Sequence, residues 1–371
     1  MDIEGHASHE GTKKYADRFN DRVHNQFFQE SNRRLISSIG LGTYLGDPSE
    51  DDDKAYKKAV KKCVLNGVNL IDTAINYRFQ RSERAIGDAL DELITNGDFS
   101  RATKGGYVPF DSERPADLSA YIQSNFIEPG IARAEDFVGG SHCMAPGYLE
   151  HEIQESRKNL GLDTLDIYYV HNPETQFQQV DEDEFYERLS QAFEILELAV
   201  DDGHIESYGI ATWNGLRIQP GKDEYIDLAR VIEQAENVAG DGHHFEAIQL
   251  PYNLAMPEAL TLQNQSLEHR SLSVLDYAGE HDLTVCSSAS LLQGKLTEQM
   301  PEEILERMQE LDSSAHCAIQ FTRSAPGITS ALVGMRSPEH IEQNLELSPI
   351  PPYDSDEYLE RFFVEMDPGQ G

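Results

Sequence analysis

The feature of the sequence that most constrains its fold is a regular alternation of short apolar runs with longer amphipathic segments. Eight runs of strand-like composition lie between residues 35 and 334, and each is followed by a segment with helical spacing of its apolar residues. Strands joined by helical crossovers pair in parallel. The pattern therefore predicts an α/β fold, the closed (β/α)8 or TIM barrel. The predicted strands are Leu35–Leu41, Val68–Asp72, Arg101–Lys104, Leu165–His171, Ile205–Thr212, Phe245–Leu250, Thr284–Ser288 and Ala331–Gly334.

The alternative fold with this pattern is an open doubly wound sheet. Its dinucleotide-binding form carries Gly-x-Gly-x-x-Gly after the first strand. Here Gly40, Gly42 and Gly46 do not have that spacing, and they lead into the acidic loop 47–53 instead of a helix. The barrel is therefore favoured. Its predicted helices are Asp53–Asn66, Ser82–Thr95, Gly147–Leu160, Glu182–Asp201, Asp223–Ala239, Asn264–Glu280, Glu302–Arg323 and Pro338–Leu347.

Three segments fall outside the alternation. Residues 1–30 are polar and predict a flexible arm before a barrel at 31–348, and the proline-containing residues 349–371 predict a tail without a regular element. Residues 105–146 form an insertion after the third strand that is longer than an ordinary βα loop. In a barrel this insertion lies at the C-terminal face, where active sites are found.

The charge of the chain excludes several classes of partner. Asp and Glu number 66 against 30 Lys and Arg, which gives a formal net charge of −36. Nucleic acids and anionic membranes would repel such a chain. The sequence also lacks the run of about 20 apolar residues that a membrane span needs, and its four cysteines are widely spaced, as in a reducing compartment. We therefore expect a cytoplasmic protein.

The same acidity is typical of proteins from a cytoplasm with molar salt. At such ionic strength charges are screened beyond about 3 Å, so their mutual repulsion no longer loosens the fold. The sequence thus favours a halophilic origin, and an acidic protein from an ordinary mesophile is the alternative.

Four polar residues share one edge of the predicted barrel. Asp72 ends the second strand and Tyr77 follows in the next loop, while Lys104 and His171 end the third and fourth strands. Individually, such residues are more often helix caps, solvated side chains or packing groups. Because the carboxyl ends of neighbouring parallel strands meet, we expect these four side chains to lie together.

Three segments around these residues resemble the aldo/keto reductase family. Residues 67–90, which begin GVNLIDTA, resemble its first signature. Residues 160–173, which contain DIYYVHNP, resemble its second signature. Residues 333–344, which begin VGMRSPEH, resemble its cofactor-binding end. The resemblance extends from about residue 35 to 347 and is interrupted by the insertion. It implies that Asp72, Tyr77, Lys104 and His171 form the catalytic tetrad.

The chemistry of carbonyl reduction accounts for these four residue types. Adding a hydride to a carbonyl leaves negative charge on oxygen, which requires a proton donor such as Tyr77. An ammonium about 4 Å from a tyrosinate contributes roughly 4 kcal/mol at an effective dielectric constant near 20, enough to bring the phenol pKa from about 10 toward neutrality. Asp72 would keep Lys104 charged, and His171 would hold the carbonyl oxygen.

The resemblance also implies NADPH as the cofactor. Arg336 and Ser337, before the last predicted helix, would bind its 2′-phosphate, since a guanidinium pairs well with phosphate. Three positions depart from the family pattern: Thr212 or Asn214 stands in for a Ser-Asn pair at the carboxamide, Ser288 stands where an aromatic side chain often stacks on nicotinamide, and Gln343 replaces a common glutamate. The other implied cofactor contacts are Gly42, Thr43, Tyr44 and Asp72 at the nicotinamide ribose, Gln249 at the carboxamide, Leu291, Gln293 and Gly294 at the pyrophosphate, and Gly334, His340, Gln343 and Asn344 toward the adenine end.

Few residues point to the substrate or to a metal. Tyr44 and Asn172 are candidate substrate contacts. Trp213 is either a third substrate contact or a residue of the core. The pairs 142–143 (His-Cys) and 243–244 (His-His) lack partners at zinc-binding spacing, so we expect surface loops and no metal.

The sequence therefore predicts an NADPH-dependent oxidoreductase that reversibly reduces an aldehyde or ketone. One alternative is a nicotinamide-binding sensor or regulatory subunit on the same fold, with incidental turnover. Another is an unrelated barrel enzyme acting on a phosphorylated substrate.

Overall fold

The structure is a computed structural model that describes residues 5–93 and 100–364. Within those residues the strands are β1 Phe28–Ser31, β2 Arg34–Ser37, β3 Ile39–Gly42, β4 Leu70–Asp72, β5 Ser100–Gly105, β6 Ile167–His171, β7 Tyr208–Ala211, β8 Phe245–Pro251, β9 Gln265–Leu267, β10 Arg270–Leu272, β11 Thr284–Ser288 and β12 Ser330–Gly334. The α-helices are α1 His9–Asp17, α2 Glu50–Val64, α3 Arg81–Leu93, α4 Leu118–Ile122, α5 Pro146–Leu160, α6 Glu182–Asp201, α7 Leu228–Ala239, α8 Glu258–Thr261, α9 Val274–Glu280, α10 Lys295–Glu298, α11 Glu302–Arg307, α12 Ser314–Arg323, α13 Pro338–Leu345 and α14 Ser355–Phe363.

Eight of these strands close into a parallel barrel, in the order β3-β4-β5-β6-β7-β8-β11-β12. The predicted (β/α)8 barrel is confirmed. Pairing aligns Asp72 with Ala102 on β5, Lys104 with Tyr169 on β6, and His171 with Ala211 on β7. The polar strand ends therefore share one rim of the barrel.

The apolar core has two layers. A small cluster fills the barrel interior, and a larger one lies between the strands and the surrounding helices. Ile36 of β2 belongs to the interior cluster, although β2 pairs only with β1 in a separate antiparallel hairpin. The single strand predicted over 35–41 is thus two strands, of which β3 alone enters the barrel.

The N-terminal segment is not the irregular arm that its polar composition predicted. α1 packs onto the barrel through Tyr15, which is buried and donates its hydroxyl to the Val64 and Val68 carbonyls at 2.5 and 3.0 Å. The Ala7 amide donates to buried Asp166 at 2.5 Å. The buried Tyr15 side chain and its hydrogen bonds thus hold a polar helix against the barrel.

The C-terminal segment also contains a regular element that was not predicted. α14 buries Tyr358, whose hydroxyl lies 2.8 Å from that of Tyr252 at the end of β8. The division into arm, barrel and tail stays a prediction.

Two predicted helices are wrong in part. Residues 264–280 form the β9–β10 hairpin before α9, because Glu268 takes a left-handed conformation (φ 55°) that no helix accommodates. Residues 302–323 form two helices, α11 and α12, and the second starts where Ser313 accepts a hydrogen bond from the His316 amide.

The insertion at 105–146 shares a separate buried cluster with α5, which contributes Tyr148. α4 continues into a π-helical turn at Gln123–Ile127, and the segment packs against α5. Its buried cluster comprises Val108, Ile122, Phe126, Ala132, Cys143 and Tyr148. In the described part of the chain, no helix is both long and apolar enough to cross a membrane.

Candidate active site

A buried ion pair lies at the rim of the barrel where β4 and β5 end. Lys104 Nζ donates to both carboxylate oxygens of Asp72 and to the carbonyl of Thr73, each at 2.8 Å. Gln249 Nε2, from β8, donates to the same Asp72 Oδ1 at 2.8 Å. Lys104 and Asp72 are both buried. Asp72 therefore fixes the ammonium in a site with little solvent.

Tyr77 lies over this ammonium. Lys104 Nζ is 5.2 Å from the Tyr77 ring centroid, and the rings of Tyr44 and His171 meet the Tyr77 ring edge-on at 5.1 and 6.0 Å. The four predicted tetrad residues thus share one location, as their strand positions require.

The electrostatics of Tyr77 differ from expectation. Burial raises the pKa of Tyr77 above its usual value, and the Lys104 charge opposes that rise without reversing it. The expected shift of the phenol toward neutrality is therefore wrong for this structure, because desolvation outweighs the ammonium. At neutral pH the phenol holds its proton, which is the form that a proton donor requires.

The other two groups are shifted in ways that suit their predicted roles. Burial acts to lower the pKa of Lys104, but the charges and hydrogen bonds of Asp72 and Tyr77 together outweigh burial, and the net pKa is raised. Burial, together with the Lys104 charge, holds the pKa of His171 well below its usual value. Lys104 is a cation at neutral pH, and His171 is a neutral imidazole that can donate one hydrogen bond.

The loop after β7 is held by a buried carboxylate. Glu174 Oε1 accepts from the amides of Trp213 and Asn214 at 2.6 and 3.0 Å. Thr212 Oγ1 is buried and has no hydrogen-bond partner among the described residues. Trp213 is 44% exposed, so it is not a core residue.

The loop after β11 has an unusual backbone. Ala289, Leu292 and Gln293 adopt left-handed conformations, with φ of 57°, 47° and 55°, and Gly294 follows at 89°. Such conformations cost free energy in non-glycine residues and cluster at functional sites. Ser288 and Leu291 are partly buried in this loop.

The predicted phosphate end lies after β12, which is separated from β4 on the barrel rim only by β3. Ser337 caps α13 by accepting from the His340 amide at 3.2 Å. Arg336 Nη1 donates to Asp52 Oδ2 at 2.5 Å, and Asp52 also accepts from the Asp47 amide at 2.6 Å. Arg336, which is predicted to bind the phosphate, is therefore already paired with the Asp52 carboxylate of α2.

The remaining predicted residues are distributed around the rim. Asn344 is buried on α13, whereas His340 and Gln343 are exposed. Asn172 follows His171 in a left-handed conformation (φ 46°), and Tyr44 is 58% exposed. The other predicted contacts at the barrel rim are Gly42, Thr43 and Gly334.

Comparison with known proteins decides the family. The sequence model of the aldo/keto reductase family matches residues 38–360 of the chain. The chain belongs to the aldo/keto reductase family. It is an oxidoreductase on the barrel that the sequence predicted.

Three similar proteins each share less than a quarter of their aligned residues with this chain. "Aldo-keto reductase YhdN" of Bacillus subtilis (strain 168) is 24% identical over 346 residues, covering 84% of this chain and 85% of the relative. "D-threo-aldose 1-dehydrogenase" of a Pseudomonas species is 24% identical over 312 residues, covering 80% and 83%. An aldo/keto reductase from Klebsiella pneumoniae, solved in complex with NADP and acetate, superposes with a TM-score of 0.61 at 18% identity, covering 91% of this chain and 94% of that one.

Sequence reasoning missed three residues of this reductase's site. His142, expected in a surface loop with Cys143, is buried like that cysteine, and its Nε2 lies 2.8 Å from the His171 carbonyl oxygen. Glu174 and Asp52 were not singled out. These contacts join distant segments, and no local motif signals them. Among the described residues, no group of three or more His, Cys, Asp or Glu side chains could hold a metal ion.

Proposed function

We propose that the protein reversibly reduces an aldehyde or ketone to an alcohol with NADPH. The observation that carries the proposal is the Lys104 ammonium, held by both oxygens of Asp72 and facing Tyr77 beside His171. This arrangement places a protonated phenol and a neutral hydrogen-bond donor at one point on the barrel rim.

Each residue has a separate task in this proposal. Tyr77 donates its proton to the carbonyl oxygen as negative charge develops there. Lys104 stabilises the tyrosinate left behind, and Asp72 keeps Lys104 protonated and fixed in place. His171 donates a hydrogen bond that orients the carbonyl oxygen toward the Tyr77 hydroxyl. Tyr44, Asn172 and the exposed Trp213 are the proposed substrate contacts.

Several groups fit the proposed cofactor. The buried, unpartnered Thr212 Oγ1 offers a polar contact near the strand ends. The left-handed loop from Ala289 to Gly294 and the N-terminus of α13 follow the seventh and eighth barrel strands, the region where many such barrels bind phosphate. When bound, NADPH supplies a hydride to the carbonyl carbon. Arg336 would bind the 2′-phosphate in place of Asp52. The remaining proposed contacts are Gly42, Thr43, Tyr44, Asn214, Gln249, Ser288, Gly334, Ser337, His340, Gln343 and Asn344.

An assay with a panel of aldehydes and ketones, following NADPH absorbance in molar KCl, tests this function. We expect turnover that requires both NADPH and a carbonyl compound. NADPH binding with negligible turnover would instead support the sensor or regulatory subunit. The family match over residues 38–360 already rules out an unrelated barrel enzyme, so a protein that neither binds NADPH nor reduces any carbonyl would contradict both functions.

We also propose that the protein works in a cytoplasm with molar salt. The support is its net charge of −36, which in dilute buffer favours unfolding through self-repulsion. Salt screens that repulsion, so the melting temperature should rise as KCl increases from 0.1 to 3 M. A melting temperature that does not rise with KCl would contradict the proposal.

A further inference from the structure

His142 is a buried histidine that reaches the active site from the insertion. It pairs with Tyr107 in an antiparallel bridge, and the ring of Tyr107 contacts those of His142 and His171 at 5.0 and 5.2 Å. The Cys143 amide donates to the Gly106 carbonyl at 2.7 Å, which returns the end of the insertion to the end of β5. His142 therefore has a fixed place beside His171.

Three side chains form a directional chain of hydrogen bonds ending at His171. Arg188 Nη1 donates to Gln176 Oε1 at 2.7 Å, and Gln176 Nε2 lies 2.8 Å from His142 Nδ1. His142 Nε2 lies 2.8 Å from the His171 carbonyl oxygen. Since a guanidinium only donates and a carbonyl only accepts, every bond must point from Arg188 toward His171.

This direction fixes the state of His142. Its Nε2 carries the hydrogen given to His171, and its Nδ1 accepts from the Gln176 amide, which corresponds to one neutral tautomer. Burial lowers the pKa of His142 to about 4, so the imidazole is neutral across the physiological range. A cation at one end polarises each successive donor and strengthens the bond to the carbonyl.

The His171 ring packs edge-on against Tyr77 and Tyr107 but lacks a hydrogen bond at one nitrogen in the described part of the chain. Its Nδ1 is buried and has no hydrogen-bond partner among the described residues. The residue ends β6, and Asn172 after it turns into a left-handed conformation (φ 46°). The position of the imidazole thus depends on these ring contacts and on its backbone, whose carbonyl His142 binds.

Gly106 makes the approach possible. A Cβ at this position would lie 3.0 Å from the His171 carbonyl oxygen and 3.3 Å from His142 Nε2. The backbone φ of 142° also disfavours any other residue. A glycine is therefore required where the insertion meets the catalytic strand.

We propose that His142, held by Gln176 and Arg188, is a positioning residue for His171. The proposal rests on the proposed function, because it assigns His142 to the orientation of the carbonyl substrate through His171. Without His142, the end of β6 relaxes and the imidazole leaves its place above the carbonyl oxygen. A displacement of about 1 Å at such a site can lower the rate about 100-fold.

A double-mutant cycle tests the proposal. His142→Leu should lower kcat by about 10- to 100-fold with little change in NADPH affinity, and His142→Gln, which can still donate to the carbonyl, should recover part of that loss. In a His171→Ala background, His142→Leu should lower kcat by less than about 2-fold, because the group that it positions is gone. Equal losses in both backgrounds would overturn the proposal.

A control and a second measurement separate its failure from that of the proposed function. His151→Asn alters a ring that also packs on the insertion, 5.9 Å from Phe126, and should leave kcat unchanged. In ¹⁵N NMR spectra at pH 7, His142 should be the Nε2–H tautomer, because the His171 carbonyl can only accept. A wild type that reduces no carbonyl compound would refute the proposed function and this role together. An Nδ1–H tautomer would refute this role alone.

Discussion

The two ends of the proposed cofactor site are held by ion pairs of opposite character. At the catalytic end, Lys104 and Asp72 are buried and joined by two bonds of 2.8 Å. At the phosphate end, the side chain of Arg336 is 43% exposed and has one 2.5 Å bond to Asp52. The first pair is fully formed within the protein, whereas under the proposed function the second would exchange Asp52 for a phosphate.

This difference determines what each pair can contribute. A buried pair loses a great deal when one partner is removed, because the other is left as an uncompensated charge. An exposed pair contributes about 0–1 kcal/mol and is weakened by salt. The catalytic end should therefore be rigid and insensitive to salt, and the phosphate end should be adjustable.

The largest expected effect follows from removing the buried cation. Lys104→Met leaves Asp72 without a counter-charge, and we expect the free energy of unfolding to fall by about 3–5 kcal/mol in urea titrations, with loss of carbonyl reduction. Combining it with Asp72→Asn should restore much of the stability but no activity. A single variant as stable as the wild type would show that the pair is not desolvated.

Unlike Asp72, the buried carboxyl group of Glu152 has no hydrogen-bond partner among the described residues. Glu152 lies beside Gly105, and burial, with the Glu83 charge, raises its pKa well above the usual value. The folded protein therefore keeps a proton that the unfolded chain releases above about pH 4.5, so stability falls as pH rises. Glu152→Gln removes this loss of stability. The free energy of unfolding of the variant, relative to that of the wild type, should therefore grow with pH by at most about 1.4 kcal/mol per pH unit.

Denaturant titrations between pH 4.5 and 8 measure this difference. Glu150→Gln is the matched control on the same helix, because the Glu150 side chain is exposed and its charge is not among the causes that raise the pKa of Glu152. This Glu150→Gln control should show no comparable pH dependence. A Glu152→Gln advantage that shrinks with rising pH would mean that the carboxyl is ionised in the fold.

The smallest effect is expected at the exposed pair. Asp52→Asn frees Arg336, so NADPH should bind up to about 5-fold more tightly in low salt, and NADH should be unaffected. The gain should vanish in molar KCl. Asp51→Asn, with the same charge change one residue away, is the control, since Asp51 contacts Lys54 at 3.8 Å. Equal gains for both nucleotides would remove the role assigned to Arg336.

The sequence predicted the barrel because strand and helix patterns are local and repeat eight times. It did not predict the β1–β2 hairpin or α1, since both depend on a few buried contacts, such as those of Ile36 and Tyr15, with distant segments. Composition alone described the N-terminal residues as a polar arm.

The same distinction applies to the site. Asp72, Tyr77, Lys104 and His171 lie within motifs or at strand ends, and the structure brings them together. The raised pKa of Tyr77 depends on burial, which no motif reports. His142 lies 29 residues before His171 and meets it only through the folded insertion.

The proposed function depends on Tyr77 donating the proton during hydride transfer from NADPH. The most direct test supplies wild type and Tyr77→Phe with NADPH deuterated at the transferable position and a reducible aldehyde, with mass analysis of the alcohol. We expect deuterium on the former carbonyl carbon with the wild type and almost none with Tyr77→Phe, although both bind NADPH equally. Equal labelling by the two proteins would contradict the account.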